Sequence, residues 1–230
     1  MRNSTSVVEL RKLLRDRLPQ VRLGLPEPRP TPVVATGVPA LDRALGGGLP
    51  QGGLTELVGT GHGSGSVQAL HSVVRRAAAE GRFVALVDGA DSLDVDALEP
   101  EELARLLWVR CRDAAEALKA TDILLRDRNF PLVVLDLKAN PAFELRRVSP
   151  SVWHRFGRLL EHHGSTLLVI TPSAMTGAAL ARVRVTAGLG LDASAGGPAA
   201  ALASLRFEVL RAVETAGTGG MDAKIGRAHV

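Results

Sequence analysis

Five short apolar runs, separated by segments of helical periodicity, constrain this chain more than any other feature. They are Leu54–Val58, Phe83–Asp88, Leu106–Arg110, Leu132–Leu137 and Thr166–Thr171. LVVLDL and TLLVIT are apolar at nearly every position, as strands covered on both faces are. Between the runs, apolar residues return at helical spacing. In 65–80 they are Val67, Leu70, Val73, Val74 and Ala77. In 113–127 they are Ala114, Ala117, Leu118, Leu124 and Leu125, with Thr121 marginal. In 151–163 they are Val152, Trp153, Phe156, Leu159 and Leu160. This alternation predicts an α/β fold with a mostly parallel sheet flanked by helices.

The pattern changes after residue 180. Val183, Val185, Ala187, Leu189 and Leu191 alternate with Arg182, Arg184 and small residues, and Leu205, Phe207 and Val209 alternate with Arg206 and Glu208. Two half-exposed strands are expected here, joined by a flexible DASAGGPAAA stretch and added antiparallel at the sheet edge. Upstream of the core, residues 5–18 place Val7, Leu10, Leu14 and Leu18 on one helical face, opposite Arg11, Lys12 and Arg15. That helix and the proline-rich linker behind it make an N-terminal unit, 1–30, ahead of a core domain, 31–213. Residues 214–230 form a disordered tail. Its end, KIGRAHV, fits no periodicity and is read as non-native sequencing-adapter read-through, which resequencing of the locus tests.

Charge and composition narrow the function classes. Charged residues are 23% and hydrophobic residues 46%, so the chain can bury a core. The net charge is +4, carried almost wholly by arginine, since lysine stands only at 12, 119, 138 and 224. This balance permits nucleic-acid contact without demanding it. There is no tyrosine, which argues against base-stacking platforms. The single cysteine, Cys111, follows an apolar run and is read as an inert core thiol. No apolar run is long enough to span a membrane, and a cytoplasmic location is the expectation.

The chemistry centres on ELVGTGHGSGSVQAL, residues 56–70. Strand, glycine-rich turn and helix follow one another as in the phosphate-binding loop G-x-x-x-x-G-K-[ST], whose lysine reaches the β/γ-phosphates. With Gly59 as the first glycine, Ser66 takes the hydroxyl position. The second glycine is replaced by Ser64 and the lysine by Gly65. The candidate nucleotide-binding positions are Gly59, Thr60, Gly61, His62, Gly63, Ser64, Gly65 and Ser66. A glycine-rich turn that binds nothing is the competing reading.

Longer motifs carry a family resemblance. ATGVPALDRALGGGLPQGGLTELVG, residues 35–59, resembles the segment that enters the phosphate loop of RecA recombinases. VALVDGADSLD (84–94) resembles their second core strand and its turn. PLVVLDL (131–137) resembles the Walker B strand ending in Asp136, and STLLVITPS (165–173) the strand after it. ARLLWVRCRDAAEALKATDILLR (104–126) is similar to the ImuA/SulA-like branch associated with SOS-induced mutagenesis. The resemblance implies a RecA-like P-loop NTPase fold, mostly parallel, with antiparallel C-terminal strands.

It also implies what is missing. RecA-type enzymes orient the attacking water with a glutamate just after the second strand, and Ala90 stands there, with Asp91 one residue on. Arg75 and Arg76 lie too far into the helix to replace the lysine. Ser66 could still offer Mg²⁺ a hydroxyl, and Asp136 could hold a metal water; Asp136 capping a neighbouring loop is the alternative. The expectation is a degenerate site with no catalytic residues and no required cofactor beyond weak ATP/Mg binding. Its expected role is a non-catalytic adaptor in the SOS response and translesion synthesis, beside a Y-family polymerase-like partner. An ATP-binding recombination and repair ATPase and a SulA-like division inhibitor are the alternatives.

The first DNA-binding loop of RecA corresponds by this resemblance to KANPAFELRRVSP, residues 138–150. Lys138, Arg146, Arg147, Arg155 and Arg158 are the candidate phosphate contacts, with an ordinary solvated basic face as the alternative. The second loop, PSAMTG (172–177), is short, and Pro172 replaces the nucleotide-sensing glutamine. His154, His162 and His163 have no metal-ligand spacing. The N-terminal helix either packs on its own core or mediates self-association.

Overall fold

The computed structural model describes residues 32–60, 63–186 and 197–212. The N-terminal helix, its linker and the C-terminal tail lie outside these residues, as do Gly61 and His62.

A two-stranded antiparallel hairpin opens the described chain, β1 (Val33–Val34) against β2 (Leu49–Pro50), with helix α1 (Pro39–Ala44) between them. The ATG…LD signature closes this unit. The Asp42 carboxylate accepts the Thr36 backbone N–H at 2.9 Å and its hydroxyl at 2.7 Å. The motif therefore marks a side-chain-locked turn.

The main sheet contains β3 (Leu54–Gly59), β4 (Val84–Asp88), β5 (Leu106–Arg110), β6 (Leu132–Asp136), β7 (Thr166–Thr171), β8 (Ala181–Val185) and β9 (Phe207–Arg211). Its order is β5-β4-β6-β7-β3-β8-β9, parallel from β5 through β8. All five apolar runs are strands. β3, β4 and β7 are buried along their whole length, as their continuous apolarity requires.

Helices cover both faces. α2 (Ser66–Ala79) packs on one, and α4 (Ala114–Asp127) and α6 (Pro150–His163) on the other. Short helices α3 (Pro100–Leu103) and α5 (Ala142–Leu145) lead into β5 and α6. Their ends follow capping chemistry. The Asp113 side chain accepts the Glu116 N–H at 2.8 Å, and α6 starts with Ser149-Pro150 and stops at Gly164, φ 71°. Thr121, marginal by sequence, is fully buried because its hydroxyl donates to the Ala117 carbonyl at 2.8 Å.

Two expectations are corrected. β8 is not an antiparallel addition: it runs parallel to β3, and only β9 reverses, antiparallel to β8. Of the stretch expected to be flexible, residues 192–196 lie outside the described ones, and the rest is helical within α7 (Gly197–Ser204). Alanine, the best helix former, prevails over the Gly-Gly-Pro punctuation, and proline is tolerated in a first turn. Val67 also departs from its predicted core role, being 42% exposed.

Candidate phosphate-loop site

The parallel strands end together at the C-terminal edge of the sheet, where Asp88 and Asp136 are register partners on β4 and β6. A cavity of about 380 Å³ opens there, lined among others by Gly59, Gly63, Val67, Asp136, Lys138 and Pro172. The described ends of the loop after β3 approach each other closely. A Cβ on Gly59 would lie 2.8 Å from Ser64 Oγ, so the loop folds back onto its own first glycine. α2 starts at Gly65, φ 83°, with no side chain capping its N-terminus.

The lysine position is filled from elsewhere. A Cβ on Gly65 would stand 2.1 Å from Leu205 Cδ2, and Leu205 is fully buried just after α7. The C-terminal part of the chain thus occupies the volume into which a side chain at 65 would grow.

A lysine nevertheless reaches the loop. The Lys138 ammonium donates to Ser64 Oγ at 2.5 Å and to Ser66 Oγ at 2.8 Å, across 74 and 72 residues of sequence. Lys138 was expected in a DNA-contacting cluster; its side chain instead turns inward, two residues beyond the end of β6. Burial lowers its pKa, while Asp136 opposes that fall. Sequence motifs missed this contact, because no spacing rule links residue 138 to residue 66.

Asp136 lines the same cavity. Its carboxylate accepts the Lys138 backbone N–H at 2.9 Å, capping the turn that delivers Lys138. Burial pushes its pKa up to about 6, nearby Asp88 adds to the rise, and Lys138 counteracts it.

The turn after β4 has no carboxylate free to position water. Asp88 accepts the Ser92 and Leu93 N–H groups at 2.7 and 2.8 Å and the Trp108 indole N–H at 3.3 Å. Ala90 offers none. Asp91, held at φ 52°, makes a bidentate pair with Arg110, both contacts 2.6 Å.

As arranged, the loop hydroxyl is not free to meet the magnesium of a nucleotide. The Ser66 hydroxyl that would meet the metal is already bound by an ammonium. Before any phosphate charge offsets it, a divalent ion about 4 Å from that ammonium is opposed by roughly 8 kcal/mol at an effective dielectric of about 20. Asp136, the remaining candidate ligand, is ionised at neutral pH, though burial raises its pKa to about 6.

The other DNA-contact candidates do not form one stripe. Arg147 and Arg155 line a separate groove of about 510 Å³ between α4, α5 and α6, together with Leu118, Phe143 and Val152. Arg155 is held by Asp122 at 2.7 Å, and Arg147 lies over the Phe143 ring at 5.8 Å. Arg158 faces another shallow depression beside His154 and Glu161, and Arg146 is exposed.

A second polar centre went unseen in the sequence. Glu56, on β3, is fully buried and accepts from the Thr171 and Thr176 hydroxyls, the Met175 and Thr176 N–H groups, and Arg182 at 2.5 Å. It pins the 172–177 loop and β8 to the centre of the sheet. Cys111 is buried, and burial raises its thiol pKa, which keeps it protonated.

A mostly parallel sheet of this order, with a glycine-rich loop between the interior strand β3 and a helix and an acidic residue closing β6 two strands away, defines a P-loop-type α/β protein. The model of the RecA N-terminal domain matches residues 17–145, more than half of the chain. The chain belongs to the RecA superfamily. Protein RecA of Desulforapulum autotrophicum is 32% identical over 125 residues, covering 50% of this chain and 34% of that protein. Protein RecA of Leifsonia xyli subsp. xyli is 34% identical over 119 residues, covering 50% and 33%. Protein RecA of Nocardia farcinica is 34% identical over 119 residues, covering 50% and 34%. The chain spans about a third of the length of these relatives. Among the described residues, no helix is long and apolar enough to cross a membrane.

Proposed function

We propose that this RecA-superfamily protein is a non-catalytic accessory factor that acts as a protein–protein adaptor in SOS-induced, mutagenic translesion synthesis. One observation carries the non-catalytic half. Beside the phosphate loop, each group after β4 that might orient water is committed elsewhere or absent: Asp88 to its own turn, Asp91 to Arg110, and Ala90 without a carboxylate. Phosphoryl transfer depends on positioning the attacking water, and a group for that is missing after β4. The adaptor half rests on the resemblance of residues 104–126 to the ImuA/SulA-like branch; that segment forms edge strand β5 and helix α4.

The expected partner is a Y-family polymerase-like protein of a mutagenesis cassette, met in the cytoplasm. Non-specific DNA contact through Arg146, Arg147 and Arg158, and self-association through the N-terminal helix, belong to the same proposal. Co-purification of the full chain with the polymerase-like protein tests it. Capture of the division-ring protein instead replaces it with the SulA-like reading. A second reading, an ATP-binding recombination and repair ATPase, draws on the names of the relatives and on Asp136; ATP turnover separates it from the first.

A further inference from the structure

The groove of about 510 Å³ between α4, α5 and α6 takes no part in the phosphate-loop site. Ala114, Leu118, Val148 and Val152 give it an apolar lining, and the short side chains of Ala114 and Ala115 leave the hollow at the start of α4. Phe143 also lines it and is 53% exposed, with the Arg147 guanidinium over its ring at 5.8 Å. An exposed ring continuous with an apolar hollow makes a patch, which scattered single residues do not, and such patches mark contact sites. The walls are fixed. Glu144 on α5 accepts the Ala114 N–H at 2.9 Å, and Asp122 on α4 holds Arg155 on α6 at 2.7 Å. A ligand here meets a preformed surface, so little has to be ordered on binding.

The rim is positive. Lys119 and Arg147 are exposed and have no carboxylate within ion-pair distance among the described residues. The two carboxylates of the lining are turned onto the first N–H groups of α4, Glu144 onto that of Ala114 and Asp113 onto that of Glu116. There the positive end of the helix offsets them. The start of α6, which supplies Ser149 and Val152, has no acidic residue in its first turn.

We infer that this groove is the docking site for a short segment of a partner protein, which inserts large apolar side chains between α4 and α6 and sets carboxylates against Lys119 and Arg147. The chain's own N-terminal stretch has the wrong charge for this rim. Residues 1–20 hold Arg2, Arg11, Lys12, Arg15 and Arg17 against only Glu9 and Asp16. Duplex DNA matches the charge, but its phosphates make no use of an apolar lining. The groove deepens the adaptor reading and rests on it only for the partner's identity.

Two measurements on the full chain test it. In the first, a random peptide display library is selected on the parent and counter-selected on Phe143→Ala, which removes an exposed ring and opens no core cavity. The surviving peptides are expected to carry leucine or aromatic anchors beside aspartate or glutamate, and to bind more weakly as salt rises. In the second, affinity for the polymerase-like protein is measured. Phe143→Ala weakens it by about tenfold or more, as loss of an aromatic anchor does. Lys119→Glu with Arg147→Glu also weakens it. Phe83→Ala, which removes a comparably exposed ring at the entry to β4, leaves it unchanged. The inference is overturned if no peptide survives counter-selection, if the survivors are basic, or if duplex DNA or a synthetic peptide of residues 1–20 displaces them. If the polymerase-like protein binds Phe143→Ala as tightly as the parent, the inference falls and the adaptor reading stands. If that protein is not bound at all, the adaptor reading falls, and the library decides the inference.

Discussion

The Lys138 ammonium lies 2.8 Å from Ser66 Oγ, joining the turn after β6 to the first residue of α2. In a phosphate loop that hydroxyl belongs to a metal, and here it belongs to the protein's own cation. Leu205 fills the neighbouring volume at Gly65. Leu205 and Lys138 together take up the space beside Gly65 and the Ser66 hydroxyl.

Restoring the motif by Gly65→Lys should fail. The new Cβ meets Leu205 Cδ2 at 2.1 Å, and φ 83° is unfavourable for any L side chain. We expect destabilisation by about 1–3 kcal/mol, the range for overpacking a filled core, and no ATP hydrolysis. Denaturant midpoints and a phosphate-release assay check both. A stable variant that turns over ATP would show that the catalytic acid is not the one missing at Ala90.

Asp136 makes stability depend on pH. Its folded pKa is raised from 3.8 to about 6, so it favours the protonated form more than the unfolded chain does. The stability contributed by this preference is complete below about pH 4 and is lost as pH rises through about 6. At about 1.4 kcal/mol per pH unit, the ionised carboxyl costs roughly 3 kcal/mol at neutral pH. Asp136→Asn should therefore stabilise the protein near pH 8 and leave it nearly unchanged near pH 4. Urea denaturation at the two pH values measures the difference.

Glu56 should be intolerant of losing its cationic partner. Its carboxylate is fully buried and holds Arg182, two threonine hydroxyls and two backbone N–H groups. Arg182→Met leaves that charge without its partner, and breaking a buried pair in this way costs about 3–5 kcal/mol. Chemical denaturation reads the loss. Proteolysis within 172–177 should accelerate in the same variant, because Glu56 also anchors that loop.

The basic residues after β6 separate by partner. Arg155 is held by Asp122, whereas Arg146 and Arg147 are exposed and have no carboxylate within ion-pair distance among the described residues. If this face contacts duplex DNA, replacing Arg146 and Arg147 by alanine reduces the slope of log affinity against log salt by about 2, at roughly 0.9 per phosphate contact. Arg155→Ala changes it less. Anisotropy titrations across salt concentrations provide the slopes, and an unchanged slope identifies an ordinary solvated face.

The strands and long helices were legible because their burial is written locally. LVVLDL and TLLVIT are covered on both faces, and Trp153, Phe156 and Leu160 recur along one stripe of α6. Gly65 and Ala90 were legible as the residues at the motifs' lysine and glutamate positions, since each motif fixes a position. What stayed hidden was contact across the fold. Lys138 meets Ser66 over 72 residues, and Glu56 meets Arg182 over 126. Leu205 reaches Gly65 only because α7 sets the chain over the loop. α7 itself was hidden because alanines without a polar face give no periodicity. Val67 sat at a core spacing, but the first turn of α2 faces the cavity.

The most direct measurement is ATP turnover by the unaltered full chain, with magnesium and single-stranded DNA, beside the Asp136→Asn variant. The structure predicts no hydrolysis above background in either protein. Turnover in the parent that Asp136→Asn abolishes would contradict the non-catalytic account.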